Sequence, residues 1–296
     1  MRLPCISPLL PYKDAVGSLP EEEFRTIQGR RIHFQSEGQG KVIVFLHGMA
    51  ASSYSFRNLV PYLSGDYRTI TVDLNGFGFS ERATELESYR LERQAEAMRE
   101  LLEDLGIGKV SLFGHSLGCA VSVYFANRFP GWVDQVFLVS PVSKFEKPPW
   151  YMRNGVSLRL LYLATRLLLS RPEMFQSIMG RAFYRKTILT RGASEEYRRQ
   201  LLVEGFRDAF YGYAVALSRE LRIAEEYSRL SVPVKFVGGE NDEIVLPESL
   251  RELKGLIPQA ELSFLPACGH SAPEEFPKEV SELVRSFLPG GMGKPT

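Results

Sequence analysis

The chain has little of what would place it in a specialised class of protein. Its 296 residues include three cysteines, Cys5, Cys119 and Cys268, which are odd in number and widely spaced. This spacing argues against a disulfide framework or a cysteine metal cluster, and favours a reducing compartment. The formal net charge of +1 gives no field suited to nucleic acid. We therefore expect neither a nucleic acid partner nor a metal.

Long apolar runs are also missing. No segment reaches the roughly 18 uncharged apolar residues that span a bilayer, and the nearest candidate, 158–169, is interrupted by Arg159 and Arg166. Residues 1–12 carry a single positive charge, Arg2, and three prolines, which makes a poor signal peptide. The sequence therefore predicts no integral membrane segment and a cytoplasmic location.

What the sequence does contain is an alternation of short apolar segments and helical patterns. With 44% hydrophobic and 24% charged residues, the composition is that of a globular protein. Such alternation is typical of a mostly parallel sheet covered by helices on both faces. The predicted strands are 42–46, 68–72, 110–113, 136–139, 234–237 and 261–265, and the predicted helices include 89–105, 117–129, 248–256 and 275–287.

Between the fourth and fifth predicted strands the strand signal disappears and the pattern becomes helical. Residues 151–230 contain fourteen basic and eight acidic side chains, so this insertion is a candidate surface for anionic substrates, acidic partners or lipid head groups. A solvated helical face explains the same charges, and the sequence leaves both interpretations open. The predicted organisation is an N-terminal extension (1–20), a first core part (21–145), a helical insertion (146–231), a second core part (232–289) and a tail (290–296).

The clearest motif is Gly114-His115-Ser116-Leu117-Gly118, which lies between a predicted strand and a predicted helix. This is the setting of a nucleophile elbow, in which a sharp turn strains the serine backbone and lifts its hydroxyl above the sheet. Glycines flank the serine because neighbouring chain passes too close for a Cβ. Ser116 is therefore the candidate nucleophile.

A serine hydroxyl needs a base, and the sequence has four histidines. His270 follows the last predicted strand, at the carboxyl edge where sites of α/β sheets form, so we favour it over the other three. A carboxylate that orients the base is expected after another strand, between the serine and the histidine. Asp242 is our choice in that position, although Glu240 and Glu243 are near enough to remain alternatives.

The order Ser116, Asp242, His270, together with His47-Gly48 after an early strand and the segment 73–80 (DLNGFGFS) after the next, resembles the α/β-hydrolase superfamily over nearly the whole chain. The resemblance implies an α/β-hydrolase fold with a helical cap, or lid, at the insertion. It also implies an oxyanion hole formed by the backbone N–H groups of Met49 and Leu117, and no cofactor.

Two positions depart from the common pattern of that superfamily. Cys119 stands where a glycine usually follows the elbow, and Ala50 stands where the loop after His47-Gly48 often carries a further glycine. Both changes narrow the space near the nucleophile without removing a catalytic atom. We interpret Cys119 and Cys268 as small buried side chains rather than reactive thiols.

A serine nucleophile argues against the dehalogenases and epoxide hydrolases of the superfamily, which use an aspartate, and fits acyl transfer. We expect a small-molecule ester with an apolar acyl or aromatic group, because the insertion is rich in aromatic residues. Carbon-carbon hydrolysis of ring-cleavage products, thioester hydrolysis and a non-catalytic binding role are the alternatives. The candidate pocket residues are His47, Gly48, His115 and Trp150.

Overall fold

The computed structural model describes residues 9–142, 169–219 and 223–288. Its centre is a sheet in the order β1-β2-β4-β3-β5-β6-β7-β8. Six neighbouring strands, β4, β3, β5, β6, β7 and β8, are parallel to one another. Strand β2 is antiparallel to both β1 and β4. The strands are β1 Phe24–Ile27, β2 Arg30–Glu37, β3 Val42–Leu46, β4 Arg68–Val72, β5 Val110–His115, β6 Val133–Val139, β7 Val234–Gly239 and β8 Glu261–Leu265.

Helices cover the sheet and connect its parallel strands, which confirms the fold class that the sequence predicts. In chain order the described helices are α1 Tyr12–Val16, α2 Val60–Leu63, α3 Leu91–Asp104, α4 Leu117–Arg128, α5 Pro172–Met179, α6 Arg191–Leu201, α7 Phe206–Arg219, α8 Ile223–Ser228, α9 Pro247–Leu256, α10 Ala272–Glu275 and α11 Pro277–Phe287. Helices α5 to α8 belong to the insertion, whose first residues, like Trp150, lie outside the described part of the chain.

The sheet core follows from the alternation of side chains along each strand. Phe45, Phe113 and Phe137 are aligned across β3, β5 and β6, with ring centroids 4.9 and 5.1 Å apart. All three are fully buried on one face, against α2 and α11, while their strand neighbours Val44 and Leu112 join the larger core on the other face. Burial on both faces explains why these strands have continuous apolar sequences.

The strand order contains a topological switch point. The chain reverses direction across the sheet at β3, whose neighbours are β4 and β5. In α/β sheets, ligands bind outside the carboxyl ends of the strands at such a switch point. His47 and Gly48 follow β3, and Ser116 follows β5, so both motifs lie at this point.

Candidate active site

Ser116 lies in the turn between β5 and α4, at φ 53° and ψ −114°. A non-glycine residue in this region is strained by about 1–3 kcal/mol, and the surroundings hold it there: the amide of Ser116 donates to the carbonyl of Val139, at 3.0 Å. A Cβ on Gly114 would come within 2.7 Å of the backbone of Cys119, and one on Gly118 would overlap the carbonyl of Leu46. The two glycines therefore have a steric role.

Replacing Gly118 with alanine should destabilise the protein strongly, because the added Cβ would meet backbone of β3 that has no room to move. We expect the free energy of unfolding to fall by about 2–3 kcal/mol, as for overpacked cores. Gly131→Ala is the matched control, because nothing lies within 4 Å of a Cβ at that position. Urea denaturation of both variants checks this, and equal stabilities would show that the elbow tolerates a side chain.

His270 and Asp242 lie on neighbouring loops after β8 and β7 and are hydrogen bonded, with Nδ1 2.9 Å from Oδ2. The second oxygen of Asp242 accepts the amides of Ile244 and Val245, at 2.8 and 2.9 Å. Burial alone would raise the pKa of Asp242, but His270 and these amides outweigh it and lower the pKa. The carboxylate is thus held ionised, with one oxygen toward the histidine. Glu240 and Glu243 are both exposed.

His115 joins the elbow to the loop of His270. Its Nε2 is 2.9 Å from the carbonyl of His270, and the two rings are 4.9 Å apart. Burial, followed by the nearby His270, lowers the pKa of His115 to about 3, so the ring is neutral and donates from Nε2. Ser140 Oγ donates to the same carbonyl, at 3.3 Å. The residue before Ser116 thereby holds the candidate base.

His47 supports the loop beside Ser116 through both of its ring nitrogens. Its Nδ1 donates to the carbonyl of Gly48, at 2.7 Å, and its Nε2 accepts the amide of Leu74, at 3.0 Å. Burial lowers the pKa of His47, and the ring is fully enclosed. Both nitrogens are used within the protein, so the ring offers no free nitrogen to a ligand.

Gly48 is the part of this loop that approaches the candidate nucleophile. A Cβ at Gly48 would lie 3.2 Å from Cβ of Ser116 and 3.4 Å from Nδ1 of His115. Met49 follows and is partly buried against the core. Ala50 has a φ of 56°, a left-handed conformation that favours glycine, so the backbone of the loop is strained there. The loop therefore approaches Ser116 with its backbone.

A second buried histidine–aspartate pair, which the sequence analysis missed, organises the loops around the site. His33 Nδ1 is 2.8 Å from Oδ2 of Asp73, and the other carboxylate oxygen accepts the amide of Ser53, at 2.6 Å. A Cβ on Gly78 would overlap this carboxylate. Asp73 thus ties strand β2 to the loops after β3 and β4.

This pair should give the protein a distinctive pH dependence of stability. Burial disfavours the charged form of His33, but Asp73 and Glu23 outweigh it and raise its pKa. A raised pKa stabilises the fold below the unfolded value of about 6.5 and loses that effect as the pH rises through the folded value. The pKa of Asp73 is lowered, against burial, by His33, so its contribution is lost only in strong acid.

We therefore expect His33→Gln to lose more stability, relative to wild type, at about pH 5 than at about pH 8.5. Urea denaturation of both proteins at the two pH values measures this difference. Equal losses would mean that the imidazolium–carboxylate attraction contributes nothing to the folded state.

The two cysteines among the described residues are buried thiols. Burial raises the pKa of both Cys119 and Cys268, and the sulfur of Cys119 is 3.2 Å from the carbonyl of Gly114. A raised pKa keeps a thiol protonated and unreactive. Within the described ranges no cluster of three potential metal ligands occurs, and no helix there is long and apolar enough to cross a membrane.

Comparison with known proteins identifies the family. A sequence model of the alpha/beta hydrolase fold matches residues 41–277, which is most of the chain, and the chain therefore belongs to the α/β-hydrolase family. Lipase 1 of Psychrobacter immobilis is 23% identical over 282 residues, covering 94% of this chain and 87% of that protein.

The names of other relatives indicate hydrolases of different substrates. A 2-hydroxy-6-oxo-6-phenylhexa-2,4-dienoate hydrolase of Burkholderia cepacia is 26% identical over 269 residues, covering 88% of this chain and 92% of that protein. The solved structure of epoxide hydrolase CorEH without ligand is similar, with a TM-score of 0.75, 25% identity and coverage of 89% of this chain and 96% of that one. Membership of the family implies a hydrolase that acts on a small molecule, and the names of these relatives do not agree on one substrate.

Proposed function

We propose that the chain is a serine hydrolase that cleaves carboxylic esters with an apolar acyl or aromatic group through an acyl-enzyme on Ser116. The observation that carries the proposal is the 2.9 Å contact between His270 and Asp242, on a loop that His115 fastens to the elbow. An oriented histidine next to a strained serine is the arrangement that activates a hydroxyl.

The proposed reaction needs each group in turn. Nε2 of His270 removes the proton of Ser116 Oγ as this oxygen bonds to the acyl carbon, and Asp242 stabilises the imidazolium at Nδ1. The N–H groups of Met49 and Leu117 donate to the oxyanion. The imidazolium then gives its proton to the leaving alcohol. Water, activated by the same histidine, releases the carboxylic acid and regenerates the serine.

His47 has a supporting role in this proposal. Its ring holds the carbonyl of Gly48, and the same peptide group carries the N–H of Met49. We assign His47 to positioning that donor rather than to binding the substrate with its ring. Gly48 contributes to the site by bringing this backbone close to Ser116.

We also propose that the insertion forms the cap, with a pocket for the acyl group beneath it. Tyr213 of α7 stacks on Phe77 with centroids 4.9 Å apart and donates to the carbonyl of Asn75, so this helix packs on the loop after β4. Six aromatic side chains of the described part of the insertion are buried, namely Phe175, Phe183, Tyr197, Phe206, Tyr213 and Tyr227. We assign these six to the core of the insertion, so the pocket needs side chains from elsewhere in the cap.

Part of the arginine excess in the insertion is paired with carboxylates of the same segment. Four arginines form ion pairs with nearby carboxylates, namely Arg198–Glu195, Arg199–Glu196, Arg207–Asp208 and Arg229–Glu226. At these four positions the pairing favours a solvated helical face over a surface for anionic or lipid partners. The substrate proposed here is an uncharged ester.

A chain-length series of p-nitrophenyl esters tests the ester proposal. We expect hydrolysis that a fluorophosphonate serine reagent abolishes, with the fastest turnover at the acyl length that fills the pocket. Folded protein that hydrolyses none of these esters would contradict the proposal. A vinylogous keto acid assayed in parallel covers the second candidate, carbon-carbon hydrolysis, which the Burkholderia cepacia relative favours.

A further inference from the structure

The loop that carries His270 is bound to the insertion through its backbone. The carbonyl of Ala182 accepts the amide of His270, at 2.9 Å, and the amide of Ser271, at 3.1 Å. Ala182 ends a short turn after α5, so one peptide of the insertion fixes the backbone of the candidate base. The loop of His270 is therefore held by the insertion as well as by the sheet and its connecting loops.

Glu275 makes the second link between the same two segments. One carboxylate oxygen accepts the amide of Gly269, at 2.8 Å, and the other accepts the amide of Arg185, also at 2.8 Å. The side chain lies at the C-terminal end of α10 and is 3% exposed. Because its two oxygens accept amides from different segments, the carboxylate spans the gap between the histidine loop and the insertion.

The histidine loop has a conformation that needs such support. Ala267 has a φ of 51°, a strained region for a residue with a Cβ. A Cβ on Gly269 would lie 2.6 Å from the amide nitrogen of Tyr184, so the insertion backbone passes directly over the loop. Without Glu275, the amide of Gly269 would lose its acceptor in a buried place, which is costly.

We infer that Glu275 is a positioning residue that, together with the backbone of residues 182–185, sets the position of His270 for the proposed serine chemistry. The inference rests on the proposed function for its kinetic consequence. It makes part of the insertion a fixed component of the site, because residues 182–185 cannot move away without releasing the backbone on both sides of His270.

Glu275→Gln tests this inference with a small chemical change. The amide of glutamine can accept one N–H with its oxygen but presents a donor to the other, so one of the two links breaks. We expect kcat to fall by about 10- to 100-fold, the effect of a small misplacement of a catalytic group, with KM changed less than about twofold. Glu279→Gln, an exposed carboxylate on α11, is the matched control.

A second pair of variants reaches the same link from the insertion and serves if Glu275→Gln does not fold. Arg185→Pro removes the N–H that Glu275 accepts, at a backbone φ of −84° that suits proline. Arg185→Ala removes the same side chain and keeps the N–H. The ratio of kcat between the two Arg185 variants therefore measures the contribution of the N–H of residue 185. We expect kcat of Arg185→Ala to exceed that of Arg185→Pro by about tenfold or more.

Proton NMR of the Nδ1–H of His270 gives a readout that does not depend on turnover. We expect this resonance, identified by its loss in His270→Ala, to shift or broaden in Glu275→Gln and Arg185→Pro but not in Glu279→Gln. Unchanged kcat and an unchanged resonance in both test variants would overturn the inference. A perturbed resonance in a protein without esterase activity would support the positioning role and count against the ester proposal alone.

Discussion

Replacing Ser116 with alanine should abolish ester hydrolysis while leaving the fold intact. The variant keeps a Cβ at φ 53°, so the strain of the elbow is unchanged, but no atom remains to form the acyl-enzyme. We expect kcat to fall by about 10⁶-fold, since loss of a triad nucleophile leaves only the contribution of the oxyanion hole and binding. Initial rates on the best p-nitrophenyl ester, with thermal unfolding in parallel, check this.

Ser122→Ala is the matched control for this change. Ser122 is a fully buried serine further along α4, and its hydroxyl donates to the carbonyl of Gly118, at 2.7 Å. Its loss should cost stability of about 1 kcal/mol with turnover retained. Wild-type activity in Ser116→Ala would remove Ser116 from the mechanism. His270→Ala should reduce kcat nearly as much, and the double variant little more, because triad residues act as a unit.

The sequence predicts the central strands well because a strand buried on both faces has a continuous run of apolar residues. Strands β3, β4 and β8 have the predicted bounds. The start of β6 at Val133, three residues before the prediction, was missed because Asp134 and Gln135 interrupt the apolar run at the solvent end of the strand. The antiparallel edge was harder, because β1 has four residues and β2 is largely polar.

The end of β5 shows how a motif can obscure secondary structure. The sequence motif predicts that Gly114 and His115 belong to the turn of the elbow, whereas the structure continues the strand through His115. The register explains the difference, since Gly114 and His115 still pair with Leu138 and Val139 of β6. The turn is therefore confined to Ser116 itself, where the backbone is strained.

The candidate site was predictable as far as each residue's position relative to a strand end. What the sequence could not show is the set of partners. Glu275 is separated from Arg185 by 90 residues, and His33 from Asp73 by 40. Neither pair follows a spacing rule, so only the fold brings them together. Glu275 lies two residues before α11, and its burial is not visible in the sequence.

Two histidine–aspartate pairs in one chain also show why this contact alone does not identify a base. In His33 both ring nitrogens are bonded, to Asp73 and to Glu23, and the ring is packed between Phe24 and Phe79. His270 uses Nδ1 for Asp242, which leaves Nε2 on the opposite side of the ring. The location after β8, beside the elbow, is what distinguishes His270.

Asp242→Asn should lower kcat by about 10⁴-fold at neutral pH, less than the loss in Ser116→Ala. The oxygen of asparagine can still accept the amides of Ile244 and Val245, which turns its NH₂ group toward His270. Nδ1 must then act as an acceptor, so the proton moves to Nε2, and the histidine can no longer take the proton of the serine. The pocket is unchanged, so KM should change little.

Glu240→Gln and Glu243→Gln separate this effect from a general loss of negative charge. Both carboxylates lie within two residues of Asp242 and both are exposed, so water replaces whatever contact they make. We expect each variant to retain kcat within about threefold, because exposed charge pairs contribute little. If Asp242→Asn kept the wild-type rate while one of these variants lost it, the orienting carboxylate would be that glutamate. In that case the hydrogen bond between Asp242 and His270 would have a structural role, as the pair of Asp73 and His33 has.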